Sequence, residues 1–279
     1  MSNENQNAVE VARNYYNSED ADHFYATIWG GEDIHVGLYE SVNESISDAS
    51  RRNQERMLAH LNNKPGPGDR VIDLGSGYGG SARFMAERYG CKVVALNLSE
   101  VENERARKMN RDQGLDHLID VMDGNFESIP FEDAAFNLVW SQDAFLHSPD
   151  RRQVIREVAR IMKQGGEFVF TDPMQSDDCP EGVLQPIFDR IHLESMGSPK
   201  FYKETASNAG LELVKFDELT EHLKRHYTAV LNETIDHEEE LKGIVSDEYI
   251  RNMKNGLQHW INGAGKGHLS WGIFHFIKK

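Results

Sequence analysis

Four glycines that follow a short apolar run can bring the main chain close to a ligand. The run VIDL at 71–74 is followed by Gly75, Gly77, Gly79 and Gly80. Glycine takes up positive φ values and, because it lacks a Cβ, allows a ligand to approach the main chain. A helix that begins after such a turn presents unpaired N–H groups in its first turn. The spacing therefore predicts a buried strand, a sharp turn and a helix, with a ligand bound at the turn.

The nature of this ligand depends on the polar residues that follow the neighbouring strands. Residues 75–80 match G-x-G-x-x-G, a pattern of dinucleotide-binding enzymes. Such enzymes place an acidic residue for the ribose about 20 residues further on, but the next strand here ends in Asn97. Asp73 before the turn, Asp123 after the third strand and the run SQDAFLH at 141–147 after the fourth favour a different cofactor.

Alternating strands and helices are expected to position these residues. The pattern predicts the α/β class, with a doubly wound, mostly parallel sheet of seven strands. The predicted strands are 71–74, 92–97, 118–122, 136–140, 167–171, 211–216 and 268–277. The predicted helices in the core are 80–88, one opened by Ser99 with Glu102 at its capping-box position, one through 154–162 that Gly165 and Gly166 end, and 201–209.

A single domain is expected over 1–279. Residues 1–66 form its N-terminal lid and a helix at 47–61, which PGPG at 65–68 ends. Tyr25 and Trp29 beside Gly30 and Gly31 are typical of a hinged cover over a pocket. The core at 67–279 includes an insertion at 174–200, after the fifth strand, and two amphipathic helices within 217–266.

Composition narrows the class of partner. The formal charge is −16, from 46 acidic and 30 basic residues, which repels nucleic acid and anionic membranes and favours a small-molecule partner. Cys91 and Cys179 are too few for a disulfide framework. Residues 1–20 contain no apolar signal segment, and no run is long enough to span a bilayer. We therefore expect a cytoplasmic protein, while the oligomeric state stays open.

Taken together, residues 70–216 resemble the class I S-adenosylmethionine-dependent methyltransferases, which have a Rossmann-like fold. The resemblance implies S-adenosylmethionine as the cofactor, with its methionine end at the glycine turn, its ribose at Asn97 and its adenine beside Asp123. The turn KQGG at 163–166 matches the usual K-P-G-G of the family. The cofactor-binding residues implied are Asp73, Gly75, Gly77, Gly79, Asn97, Leu98, Asp123, Asn125, Phe126 and Gln142, with His35 and Gly37 in a loop that closes over the cofactor.

A narrower resemblance rests on three runs that reach both ends of the chain. These are WGGEDIHVGLYE at 29–40, ALNLSEVENERARKMN at 95–110 and HLSWGIFHF at 268–276. They resemble the sarcosine/dimethylglycine N-methyltransferases, which make glycine betaine. Phosphoethanolamine N-methyltransferases, cyclopropane fatty acid synthases and quinone C-methyltransferases share parts of them. Two alternatives therefore remain: another small-molecule methyltransferase, acting on phosphoethanolamine or a quinone, and a non-catalytic sensor that binds the cofactor.

Methylation of an amino acid nitrogen requires alignment, a free lone pair and exclusion of water. Asp143 and His147 are the candidates for orienting the amine, although His147 precedes Ser148-Pro149-Asp150 and is equally suited to a helix start. A guanidinium suits the substrate carboxylate, and aromatic faces suit a methylated cationic nitrogen. The candidates are Tyr25 for catalysis, Trp29, Trp140, Phe145 and Arg190 for the substrate, and His35, Arg51 and Arg83 as further carboxylate ligands. The twelve histidines show no metal-ligand spacing, so no metal is expected.

Overall fold

A computed structural model describes residues 10–11, 13–29 and 31–279. The expectations for residues 1–9 and for Gly30 lie outside this part of the chain. Residues 13–16 are helical. The later helices are α1 (Glu19–Ile28), α2 (Ile46–His60), α3 (Gly80–Tyr89), α4 (Glu100–Asp112), α5 (Arg151–Ile161), α6 (Gln185–Ile191), α7 (Pro199–Asn208), α8 (Thr220–Asp236), α9 (Glu238–Leu241) and α10 (Asp247–Gly265).

Seven strands form one mixed sheet, as the alternating pattern predicted. The strands of the chain are β1 (Arg70–Leu74), β2 (Lys92–Asn97), β3 (Ile119–Asp123), β4 (Phe136–Gln142), β5 (Met162–Thr171), β6 (Met174–Gln175), β7 (Leu211–Glu218), β8 (Leu269–Ser270) and β9 (Gly272–Lys278). The order in the mixed sheet is β3-β2-β1-β4-β5-β9-β7, and the five strands from β3 to β5 are parallel. The last long strand, β9, runs antiparallel between β5 and β7.

The central strands are buried on both faces of the sheet. Alternate side chains of a strand point to opposite faces, and here both sets belong to an apolar core. Ile72 and Val94 belong to one apolar core, whereas Val71 and Val93 belong to the other. Parallel strands covered on both faces read as continuous apolar runs, which is why the sequence predicted them well. The carboxyl ends of β1, β2 and β4 therefore lie together at one edge of the sheet.

Two predicted boundaries are wrong. The helix expected to reach Met162 ends at Ile161, and Met162 begins a strand that continues through Gly165 and Gly166. The strand expected over 268–277 is interrupted at Trp271, whose carbonyl accepts a hydrogen bond from Leu219 N–H and whose N–H donates to the Thr220 hydroxyl. As a result β8 pairs with β6 in a separate ribbon, and only β9 enters the main sheet.

The N-terminal segment and the helices after β7 pack against each other. Phe24 and Trp29 share an apolar cluster with Val230 of α8 and Leu257 of α10. Trp29 and Leu257 of this cluster line a cavity together with Asp143, which directly follows the carboxyl end of β4. Within the part of the chain that the structure describes, no helix is long and apolar enough to cross a membrane.

Candidate functional site

The glycine turn after β1 borders a cavity that we call the strand-end cavity. Gly75 and Gly77 line it, with φ values of +75° and +52°. A Cβ on Gly75 would lie 2.3 Å from the Ala144 Cβ, so only glycine fits there. The cavity holds about 770 Å³ of empty space, part of it open to solvent. It is lined by Arg13, Tyr16, Ile34, Gly75, Gly77, Asn97, Leu98, Ser99, Glu102, Gly124, Asn125, Phe126, Glu127, Gln142, Asp143, Ala144, His147, Ser148 and Pro149.

Gly79 has a different position from the first two glycines. It adopts φ +78° and precedes α3, but it does not line the strand-end cavity. A Cβ at this position would lie 3.2 Å from an Nη atom of Arg83. Gly79 is the N-cap residue of α3, and its contact with the cofactor stays a prediction.

Two polar side chains follow β2 at the expected ribose position. The Asn97 amide donates to a carboxylate oxygen of Glu102 at 2.8 Å, and both side chains line the strand-end cavity. Burial raises the pKa of Glu102 to about 7. Ser99 caps α4 as predicted, since its hydroxyl accepts a hydrogen bond from Glu102 N–H. The Glu102 carboxylate, however, turns towards Asn97 and the cavity.

Glu102 is thus a functional candidate that the sequence interpretation missed. The capping-box pattern explained its presence on the first turn of α4, so no second role was assigned to it. An acidic residue five positions after the end of a cofactor-binding strand is the signal that could have found it. A carboxylate and an amide side by side can accept and donate hydrogen bonds to a diol.

Asp123 is not among the residues that line the strand-end cavity, although its neighbours Gly124 and Asn125 are, so its contact with adenine stays a prediction. Its carboxylate accepts hydrogen bonds from the Asn103 amide at 2.7 Å and from Arg107 at 3.1 Å. Both donors belong to α4 and share the Oδ1 atom of Asp123. Asn125 and Phe126 line the cavity.

A small space beside the glycine turn is lined by Asp73, Gly75 and Gln142, and it adjoins the strand-end cavity, which Gly75 and Gln142 also line. Asp73 is 3% exposed, and neither its Oδ2 atom nor the Nε2 atom of Gln142 has a hydrogen-bond partner among the described residues. Burial raises the pKa of Asp73 to about 7. Buried polar groups are nearly always paired in proteins. The carboxylate and the amide are therefore arranged to receive polar groups of a ligand.

A second cavity, which we call the aromatic cavity, adjoins the first. Tyr16, Ile34, Asp143 and His147 line both cavities, so these residues mark their junction. The aromatic cavity is lined by Tyr15, Tyr16, Tyr25, Trp29, Ile34, His35, Val36, Asp143, Leu146, His147, Pro173, Arg190, Ile191, His226, Tyr227, Met253, Gly256, Leu257 and Trp260.

His147 lies at the junction and is uncharged near neutral pH. Its Nε2 atom is 2.8 Å from the Tyr16 hydroxyl. Burial lowers the pKa of His147 to about 4, and the nearby Arg151 charge acts in the same direction. The imidazole can thus exchange hydrogen bonds at the junction without carrying a positive charge.

Asp143, the other candidate for orienting the amine, already has a donor for each oxygen. Val36 N–H donates to Oδ2 at 2.7 Å, and the Trp271 indole donates to Oδ1 at 2.8 Å. Burial raises the pKa of Asp143. Its backbone takes φ +54°, a region that aspartate tolerates better than most residues. The carboxylate therefore fastens the N-terminal loop to the C-terminal strand region beside the cavities.

The loop with His35 and Gly37 reaches the site only in part. His35 lines the aromatic cavity. Burial of the imidazole acts to lower its pKa, but the Asp33 carboxylate, 3.5 Å from Nε2, acts in the opposite direction, and the net result is a raised pKa of His35. Gly37 lines neither cavity, and a Cβ on it would lie 2.6 Å from the Ala49 Cβ. The glycine therefore permits close packing of the loop on α2, and its expected cofactor contact is not supported.

Arg190 brings a positive charge to the aromatic cavity. Its guanidinium carbon lies 5.6 Å from the centre of the Tyr15 ring and 5.7 Å from that of Tyr249. Its hydrogen-bond partners in the described chain are neutral, namely the Asn252 carbonyl at 3.3 Å, the Tyr15 hydroxyl and the Met253 sulfur. The guanidinium is thus available for an anionic ligand. The alternative candidates Arg51 and Arg83 line neither cavity.

Of the aromatic candidates, Tyr25 and Trp29 line the aromatic cavity, with ring centres 5.1 Å apart. Trp140 and Phe145 do not. Trp140 is fully buried in the core and donates to Gln142 Oε1 at 3.0 Å. Phe145 is also fully buried, and its ring packs against other phenylalanines of the opposite core. Their apolar character serves packing, which corrects both expectations.

Comparison with known proteins agrees with this arrangement. Residues 72–170 match the family described as a methyltransferase domain. The chain is 62% identical over 271 residues to a sarcosine/dimethylglycine N-methyltransferase from Halorhodospira halochloris, with 97% of each chain covered. It is 51% identical to a protein of the same name from Aphanothece halophytica, again with 97% of each covered.

A solved structure from Galdieria sulphuraria, described as a candidate sarcosine dimethylglycine methyltransferase, has a TM-score of 0.89 at 42% identity. The match covers 95% of this chain and 99% of that one. These similarities cover 95–97% of this chain. This chain therefore belongs to the S-adenosylmethionine-dependent methyltransferases, in the family of the sarcosine/dimethylglycine N-methyltransferases.

Proposed function

We propose that this protein transfers a methyl group from S-adenosylmethionine to the nitrogen of sarcosine and/or dimethylglycine, and so produces glycine betaine. One observation carries the proposal. The strand-end cavity meets the aromatic cavity at Tyr16, Asp143 and His147, and the hydrogen-bond partners of the Arg190 guanidinium among the described residues are all neutral. The names of the relatives from Halorhodospira halochloris and Aphanothece halophytica support the same substrates.

The residues around the strand-end cavity fit the cofactor. Asp73 lines a small space that adjoins this cavity at Gly75 and Gln142. The atoms of Asp73 and Gln142 that have no partner among the described residues suit the amino and carboxylate groups of its methionine part. Asn97 and Glu102 suit a ribose diol, and the ring of Phe126 suits the face of an adenine. S-adenosylmethionine, when bound, supplies an electrophilic methyl group on a positively charged sulfur.

The aromatic cavity fits a small amino acid whose nitrogen becomes permanently cationic. Arg190 pairs with the carboxylate, because guanidinium and carboxylate form strong charge-assisted hydrogen bonds. The face of Tyr25 attracts the methylated nitrogen. Alignment of the reacting groups and exclusion of water can contribute on the order of 7–11 kcal/mol to lowering the barrier.

The junction residues orient the amine. The substrate arrives as an ammonium and the cofactor carries a positively charged sulfur, so a cationic side chain at the junction would repel both. His147 meets this requirement because its pKa of about 4 keeps it neutral. The same low pKa means that His147 does not retain the ammonium proton near neutral pH. We therefore assign His147 and Tyr16 to orienting the amine: they accept a hydrogen bond from its N–H while it is protonated, the proton then leaves to solvent, and the freed lone pair attacks the methyl carbon as the carbon–sulfur bond breaks.

A substrate panel tests the proposal. Purified protein is incubated with S-adenosylmethionine and, in separate reactions, glycine, sarcosine, dimethylglycine, phosphoethanolamine and a quinone, and the methylated products are quantified. We expect products from sarcosine and/or dimethylglycine, with betaine from the latter. Absence of betaine with dimethylglycine would overturn the proposal. Methylation of phosphoethanolamine or the quinone instead would support the other small-molecule methyltransferases, and cofactor binding without any product would support a sensor.

The remaining proposals concern partners and location. The charge of −16 supports a small-molecule partner and argues against nucleic acid. Cys91 and Cys179 are both free thiols, which supports the reducing cytoplasm as the location. Cell fractionation with an antibody against the chain tests this: recovery in the membrane or extracellular fraction would contradict it.

A further inference from the structure

His226 of α8 presents an unused hydrogen-bond donor to the aromatic cavity. The residue is fully buried and lines that cavity. Gly37 N–H donates to its Nδ1 atom at 3.3 Å, and the Tyr39 hydroxyl lies 2.9 Å from the same atom. A backbone N–H can only donate, so Nδ1 must carry a lone pair.

This contact fixes the tautomer of His226. A neutral imidazole has one N–H, and with Nδ1 accepting, the proton resides on Nε2. Burial lowers the pKa of His226 to about 3, and a positive charge on His35 acts in the same direction, so the ring stays neutral near pH 7. The Nε2 atom is buried and has no hydrogen-bond partner among the described residues.

Trp29 presents a second unused donor to the same cavity. Its side chain is 6% exposed, and its indole Nε1, which can only donate, also has no partner in the described part of the chain. The ring centres of Trp29 and His226 are 5.3 Å apart. A buried donor without an acceptor is unfavourable. Two of them side by side in one cavity therefore indicate a ligand with acceptor atoms.

We propose that His226 Nε2–H and Trp29 Nε1–H donate hydrogen bonds to the substrate carboxylate and so determine which end of the substrate enters the aromatic cavity first. The inference rests on the proposed function. A carboxylate offers only acceptors, and two neutral donors plus Arg190 satisfy them without a further charge. An ammonium group offers only donors and is rejected at this end. The amino acid is consequently turned with its nitrogen towards Tyr16 and His147.

The test compares substitutions that remove one donor each. Trp29→Phe and His226→Phe keep an aromatic ring but lose the N–H. His222→Gln is the matched control, because His222 lies one turn earlier on α8 and accepts from Tyr39 N–H at 3.0 Å, but does not line the cavity. Steady-state kinetics with dimethylglycine and with N,N-dimethylethanolamine, which lacks the carboxylate, are measured together with the affinity for S-adenosylhomocysteine.

We expect each donor variant to raise the KM for dimethylglycine about tenfold, with a smaller change in kcat. The preference for dimethylglycine over N,N-dimethylethanolamine should fall in both variants and stay unchanged in His222→Gln. Affinity for S-adenosylhomocysteine should not change. An unaltered KM and preference in both donor variants would overturn the proposal. A wild-type protein that makes no betaine would instead overturn the proposed function, so the two failures are distinguishable.

A measurement on the wild-type chain covers the case in which His226→Phe fails to fold. Imidazole nitrogen shifts from nuclear magnetic resonance report the tautomer directly. With S-adenosylhomocysteine bound, we expect the Nε2–H tautomer of His226 and a shift of its N–H resonance when betaine is added, with none when choline is added. A cationic ring, an Nδ1–H tautomer or the same response to both ligands would contradict the inference.

Discussion

The hydroxyl of Tyr16 lies 2.8 Å from Nε2 of His147, and the two rings meet edge to face with centres 5.3 Å apart. These residues are 131 positions apart in the chain. One comes from the N-terminal segment and the other from the turn after β4. The junction between the strand-end cavity and the aromatic cavity is therefore complete only when the N-terminal segment packs on the sheet.

Removal of the Tyr16 hydroxyl should impair turnover more than binding of the cofactor. We expect Tyr16→Phe to lower kcat/KM for dimethylglycine about tenfold or more, because His147 loses the partner that orients it. Tyr89→Phe, on the far end of α3 and away from both cavities, is the control. Steady-state kinetics and calorimetric titration with S-adenosylhomocysteine provide the measurement. Wild-type turnover in Tyr16→Phe would remove the hydroxyl from the mechanism.

Glu102 should control affinity for the cofactor. We expect Glu102→Ala to weaken binding of S-adenosylhomocysteine about tenfold, because a charge-assisted acceptor for the ribose is lost. Glu104→Ala, two residues later on α4 with a side chain that is 68% exposed, should leave the affinity unchanged. Equal affinities for the two variants would contradict this role.

The raised pKa of Glu102 also predicts a pH dependence of that affinity. With a pKa of about 7, the side chain is mostly protonated about one unit below neutral pH and mostly ionised about one unit above. The ionised form accepts hydrogen bonds from both hydroxyls of a diol, so affinity should rise with pH across this range. In Glu102→Gln the affinity should rise less with pH than in the wild-type protein. A smaller rise should remain, because Asp73 also has a pKa of about 7 and ionises over the same range. An identical pH profile in the variant would refute the assignment.

Asp143 should act mainly through the loop that it fastens. Asparagine also tolerates the positive φ of this position, so Asp143→Asn keeps the backbone, but its NH₂ group faces one of the two donors. We expect a loss of about 1–3 kcal/mol in the free energy of unfolding, since Val36 N–H or Trp271 Nε1–H loses its acceptor. Urea denaturation measures it. Asp133→Asn, where the side chain is 79% exposed, should change stability by no more than about 0.5 kcal/mol.

Alanine substitutions at Gly75 and Gly114 distinguish the cost of backbone strain from the cost of a steric clash. Both have positive φ, +75° and +69°, but a Cβ on Gly114 meets nothing within 4 Å. Gly114→Ala should cost only the strain, about 1–2 kcal/mol. Gly75→Ala should cost more and also weaken binding of S-adenosylhomocysteine, because its Cβ would collide with Ala144. Thermal unfolding measures the loss of stability in each variant, and ligand titration measures the loss of affinity for S-adenosylhomocysteine. Equal losses in the two variants would contradict a steric role for the Gly75 position.

Several features of the site could be predicted because they depend on local sequence. The turn at Gly75 and Gly77, the strand that ends in Asn97 and the cap at Ser99 follow from apolar runs, glycine spacing and a capping residue, and the structure has all of them. Long-range contacts were not predictable in this way. Whether Asp123 faces a ligand or Arg107 depends on how α4 packs against β3, which no local pattern encodes.

The amino-acid sequence by itself determined the α/β alternation, the seven strands and the glycine turn, because periodicity and turn preferences act over a few residues. Only the tertiary structure decided which side chains meet. It placed Trp140 in the core, turned Glu102 into the strand-end cavity, and brought Trp29, Arg190 and His226 to one aromatic cavity. The physical reason is that burial and hydrogen-bond pairing between distant segments are set by packing of the whole chain, which the order of residues in any one segment does not specify.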